Sequence, residues 1–117
     1  MKKSLFIALA LSAAFVYAEP AENPQYSQTM SQASTDLQEG RADAALAKIK
    51  PLAEQGYPEA QYILGTMYHD GEGVIPSSIK AAEWYRKAAA QTSNPAVAHL
   101  AQEALEELTK PSASTEE

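Results

Sequence analysis

The sequence repeats on itself. Shifted by 36 residues, Ala45 falls on Ala81, Ala53 on Ala89, Gln55 on Gln91, Ala60 on Ala96 and Leu64 on Leu100. A period of that length holds two helices and their turns. Such a unit cannot bury both of its faces alone, so it must stack on copies of itself. The repeat therefore points to a chain of packed helical hairpins rather than a sheet.

Local signals agree with that reading. The spacing of Ala45, Ile49, Leu52 and Ala53 predicts a helix over 41–56 that stops at Gly56. Pro58 suits the first turn of the next helix, which carries Ala60, Leu64, Met67 and Tyr68 and ends at Asp70-Gly71. Ser77 is placed to cap a further helix with Ile79, Ala82, Trp84, Tyr85, Ala88 and Ala89 on its apolar side. Asn94-Pro95 combines a cap with a first-turn proline ahead of Val97, Leu100, Leu105 and Leu108. Upstream, Met30, Ala33 and Leu37 mark a weaker helix over about 24–39, closed by Gly40. Pro51 conflicts with its helix. An interior proline removes one backbone bond and clashes one turn back, at about 3 kcal/mol, so a kink or a break is expected there.

The apolar inventory fits close helix packing. Residues 1–18 carry Lys2-Lys3, an apolar run from Leu5 to Val16, and small residues at Val16 and Ala18. This is the pattern of a secretory signal peptide cut after Ala18, and the run is short for the about 20 residues of a spanning helix. The mature chain, 99 of the 117 residues, then has a net charge of -8 against -6 for the whole. Of its 39 hydrophobic residues 18 are alanine, and valine occurs only at 74 and 97. Strand formers are scarce and the core must be thin, with backbones close across alanines. The absence of cysteine removes disulfides, thiolate metal sites and cysteine nucleophiles. The acidic balance argues against nucleic acid, which needs clustered Lys and Arg.

Segment Glu59–Ala90 resembles the Sel-one-like repeat, a relative of the tetratricopeptide repeat. The marks are Ala60, Leu64-Gly65, Tyr68, Gly71, Gly73-Val74, Lys80-Ala81, Trp84-Tyr85 and Lys87-Ala88-Ala89. Ala45–Gly56 resembles the second helix of a preceding unit, so the resemblance spans about 30–108. Ser77 stands where the family usually has Asp, Thr92 where it has Gly, and one residue is inserted before Asn94. The last unit lacks the family's tyrosine and has no second helix, so 95–108 reads as a capping helix. The resemblance implies an all-α, short right-handed alpha-alpha solenoid of about five antiparallel helices. Four stretches follow: a signal peptide at 1–18, an extended segment and first helix start at 19–29, the repeat domain at 30–108, and a disordered polar tail at 109–117.

No catalytic constellation stands out, and no cofactor is expected. The serines lie in caps, tails or polar faces. Gly71-Glu72-Gly73 follows no strand and lacks the rest of a nucleotide fingerprint. His69, Asp70 and Glu72 form the only local group of metal-capable side chains; without a ligand motif they read as a solvated turn, and no metal site is expected.

In related helical repeats, partners lie along the inner side of the first helices. The resemblance puts Glu59, Tyr62, Thr66, His69 and Asp70 toward that side. Tyr62 either meets a partner there or packs against the helices at 24–39 or 95–108. The expected function is a non-enzymatic protein-interaction module, periplasmic or secreted, an adaptor or regulator in the cell envelope. Its protein partner would carry a basic patch, and a homo-oligomer is conceivable. No membrane span is expected after signal cleavage. An inhibitor or immunity-type protein that blocks a secreted enzyme would look the same in sequence. A cell-wall or β-lactam hydrolase has less support, since the relatives with that link are rich in cysteine.

Overall fold

A computed structural model describes residues 24–110. The signal peptide read at 1–18 lies outside the described residues, as do 19–23 and 111–117. Five helices follow one another: α1 (Pro24–Gln38), α2 (Ala42–Glu54), α3 (Pro58–Asp70), α4 (Ser78–Ala89) and α5 (Pro95–Thr109). There is no strand among the described residues.

The caps explain where these helices begin and end. Ser77 is extended, and its hydroxyl accepts the Lys80 N–H at 3.1 Å. Asn94 Oδ1 accepts the Val97 N–H at 3.2 Å, ahead of Pro95. A cap of this kind is worth about 1 kcal/mol. Gly71 closes α3 with φ 76, where its N–H meets the Met67 carbonyl; a side chain would be strained in that left-handed position.

Pro51 does not end its helix. A single helix runs from Ala42 to Glu54 through it. The proline stands in the last turn, and both Pro51 and Ala47 are exposed. The Ala47 carbonyl that loses its intrahelical donor can bond water instead, which removes the reason for a break.

Each helix packs on the next, and α3 also touches α5. Tyr26, Met30, Ala33 and Leu37 of α1 join Ala45, Ile49 and Ala53 of α2 and Ala60, Ile63, Leu64 and Met67 of α3 in one core. A smaller cluster of Ala88, Val97 and Ala101 joins α4 to α5, with Tyr62 packed against both clusters. The contact of α3 with α4 is the closest. A Cβ on Gly65 would lie 2.6 Å from Tyr85 Cδ1 and 3.3 Å from the Ala81 carbonyl oxygen. Ala81 and Ala88 are fully buried, so small residues bring the backbones together while Tyr85 fills the space beside them.

Two sequence expectations change. Ile79, placed on the apolar side of α4, is 74% exposed; it lies about 100° or more around the helix from Ala81, Tyr85 and Ala88, which face α3 and α5. The repeat register also slips by one at α5. Counted at 36, buried Leu64 meets half-buried Leu100; counted at 37, Ala60 meets Val97 and Leu64 meets Ala101, all fully buried. The residue inserted before Asn94 accounts for the slip, because helix starts follow their caps: Pro58 and Pro95 are 37 apart.

Candidate functional site: the face of the first helices

The first helices of successive hairpins are α1, α3 and α5. A buried polar chain ties them together near their N-terminal ends. Tyr26 of α1 donates its hydroxyl hydrogen to Glu59 Oε1 at 2.5 Å, and Asn94 Nδ2 donates to Glu59 Oε2 at 2.9 Å. Tyr26 also stacks on Tyr57, ring centroids 4.0 Å apart. Burial, then the bond to Glu59, pushes the Tyr26 phenol far above its ordinary value. A buried carboxylate with two donors is satisfied where a bare one would be costly.

These contacts correct part of the sequence reading. Glu59, expected on an exposed binding side, is buried, and both of its oxygens are engaged within the fold. Thr66 is buried too, its hydroxyl donating to the Ile63 carbonyl at 2.7 Å. Pattern alone did not show this, because the partners of Glu59 lie 33 and 35 residues away. The other three expected residues are partly exposed.

Tyr62 and His69 both lie against the Tyr85 ring. The ring of Tyr62 is tilted against Tyr85 at 5.8 Å, and it packs on the α4–α5 cluster, which includes Val97 and Ala101 of α5, the helix expected over 95–108. Burial raises its phenol, and the charges of Glu103 and Asp70 raise it further. Tyr85 is raised by burial, then by Tyr62 and Asp70. His69 meets the Tyr85 ring edge-on at 6.4 Å. On α5, His99 Nε2 lies 2.9 Å from Glu103 Oε2. Glu103, whose charge acts on the Tyr62 phenol, is not among the residues that the sequence pattern singles out.

Charge is divided between the two sets of helices. α1, α3 and α5 hold six acidic residues (Asp36, Glu59, Asp70, Glu103, Glu106 and Glu107) and no Lys or Arg. α2 and α4 together hold five basic residues against three acidic ones. Asp36 is buried and answered from outside its own set: Lys48 Nζ is 2.6 Å from Oδ2, and Arg41 Nη2 is 3.0 Å from Oδ1. The bond from Lys48, then that from Arg41, holds the Asp36 carboxyl below its usual range, against the opposing effect of its burial. Among the described residues no group of three His, Asp or Glu side chains is placed to hold a metal ion.

Paired helices stacked through small residues, each hairpin covering the next, define a helical solenoid of the tetratricopeptide type. Residues 58–93, which are α3, its connector, α4 and the turn that follows, match the family model of the Sel1 repeat. Repeats of this class are protein-interaction modules. Neither the curated proteins nor the solved structures yield a match. No helix among the described residues is long and apolar enough to cross a membrane.

Proposed function

We propose that this chain is an exported, non-enzymatic adaptor or regulator of the cell envelope, and that it holds its protein partner on the inner face of α1, α3 and α5. The observation that carries this reading is the division of charge: that set of helices has no Lys or Arg, and of its six acidic residues Asp70, Glu103, Glu106 and Glu107 stay at least partly exposed, with Tyr62 half-buried near Asp70 and Glu103. A surface of one sign attracts and orients a partner of the other. The partner therefore offers a basic patch, and a half-buried tyrosine is the type of anchor around which such contacts concentrate. Tyr62, His69 and Asp70 make the contact; Glu59 and Thr66 are buried, and Glu59 ties α3 to Tyr26 of α1 and to the Asn94 cap of α5. Export rests on the pattern of residues 1–18. The chain acts as a monomer or as a homo-oligomer whose contacts leave this face open.

Intact mass of the exported protein tests the leader: a start at Glu19 supports it and a start at Met1 contradicts it. Affinity for an identified partner, measured at low and raised salt, tests the surface. Binding that weakens with salt and is lost in Tyr62→Ala supports it; binding insensitive to both contradicts it.

A further inference from the structure

On the other set of helices, α4 carries a second surface. Ile75, in the connector before it, is 84% exposed, and Ile79 in its first turn is 74% exposed; they are the exposed large hydrophobic residues among the described ones. Lys80, Arg86 and Lys87 are exposed on the same helix, and none of them forms a salt bridge among the described residues. Glu83 is the one acid of α4. Lys87 Nζ stands 5.2 Å over the half-buried Trp84 ring, and Lys80 Nζ stands 5.6 Å over Tyr68.

We infer that this face of α4 rests on an anionic phospholipid surface. Its parts are those of an interfacial contact: two protruding aliphatic tips, a flank of cations, and a tryptophan at the boundary. A protein hot spot would instead place its anchors in a packed pocket. Here Ile75 and Ile79 protrude, Ile79 at the border of a shallow depression shared with Leu108 and Thr109 and one turn from Glu83, so their tips can enter the outer acyl region while the heads of Lys80, Arg86 and Lys87 meet phosphates. The charge division gives the orientation. The acids that stay at least partly exposed on the first helices, Asp70 of α3 and Glu103, Glu106 and Glu107 of α5, are repelled by the same lipid surface, which leaves Tyr62 and its neighbours turned away and open. The inference is independent of the partner reading, because α4 does not supply the contact residues of that face.

Vesicle flotation tests it on the chain as isolated from its host, with the N-terminus read by mass so that any apolar leader is known. The probes are vesicles of phosphatidylglycerol mixed with phosphatidylcholine, and vesicles of phosphatidylcholine alone. The expected result is binding to the mixed vesicles at least about tenfold stronger than to the neutral ones, and weakened by added salt. Ile75→Ser with Ile79→Ser, and separately Lys80→Gln with Arg86→Gln, lower that binding by about tenfold or more. Their circular dichroism and melting remain those of the parent. Equal binding to both vesicle types, or α4 variants that bind like the parent, overturns the inference. So does competition by poly-glutamate as effective as that by anionic vesicles, which would make the face a site for acidic protein.

Discussion

Asn94 performs two tasks with its two amide atoms: Oδ1 caps α5 through the Val97 N–H, and Nδ2 donates to the buried carboxylate of Glu59. One side chain thus starts the last helix and ties it to the first turn of α3. Asn94→Ala removes the cap and leaves a buried oxygen short of a donor, a loss of about 1–3 kcal/mol. For a domain of this size the melting temperature falls by about 4–8 °C per kcal/mol, read by circular dichroism. Asn94→Asp keeps a capping oxygen but sets two carboxylates together, so at neutral pH it is the more damaging change and improves as the pH is lowered.

Gly65 marks where α3 and α4 meet. An added Cβ would stand 2.6 Å from Tyr85 Cδ1 and 3.3 Å from the Ala81 carbonyl oxygen, and the second of these is backbone that moves only with its helix. Gly65→Ala costs about 1–3 kcal/mol by overpacking, despite the better helix propensity of alanine. Combined with Tyr85→Leu, which clears the ring, the two changes lose less than the sum of the single ones. Urea unfolding of the four proteins measures that coupling.

The helices are legible in the sequence, because caps, glycines and small residues act through local geometry. Ser77, Asn94, Pro58 and Gly71 all stand where that reading put them. What escaped it was long-range or rotational. The Tyr26–Glu59–Asn94 chain joins residues more than thirty apart, so Glu59 resembled a surface acid. Ile79 looked like core because apolar character does not say which way a helix is turned. The register of α5 follows its Asn94-Pro95 cap, 37 residues after Tyr57-Pro58, rather than the 36-residue period of the identities.

Acid weakens the fold through Asp36. Its folded carboxyl titrates below the ordinary Asp value of about 3.9, which stands for the unfolded chain. The stabilisation is therefore fully present above the unfolded value and is lost as pH falls through the lower, folded one. Asp36→Asn is less stable than the parent at neutral pH, and the gap narrows below about pH 4. Urea midpoints across that range check it.

Alkali acts through Tyr26 with the opposite sign. The folded phenol is raised above its unfolded value near 10, so the stabilisation it represents is present below that pH and is lost as the pH rises above it. Tyr62 and Tyr85 are raised as well. In an absorbance titration these phenols ionise late and together with unfolding. In Tyr26→Phe the onset of alkaline unfolding moves up, although the variant is less stable at neutral pH because Glu59 has lost a donor.

Photocrosslinking from position 62 in the native envelope tests most directly whether the first-helix face binds the partner. A photoreactive phenylalanine replaces Tyr62, and a second variant carries it at Glu83 on α4. The expected result is one discrete adduct from position 62, joined to a Lys- and Arg-rich stretch of one protein, and lost when Asp70→Asn and Glu103→Gln are added to a chain that still melts as the parent does. No adduct from position 62, or the same adduct in equal yield from position 83, would contradict it.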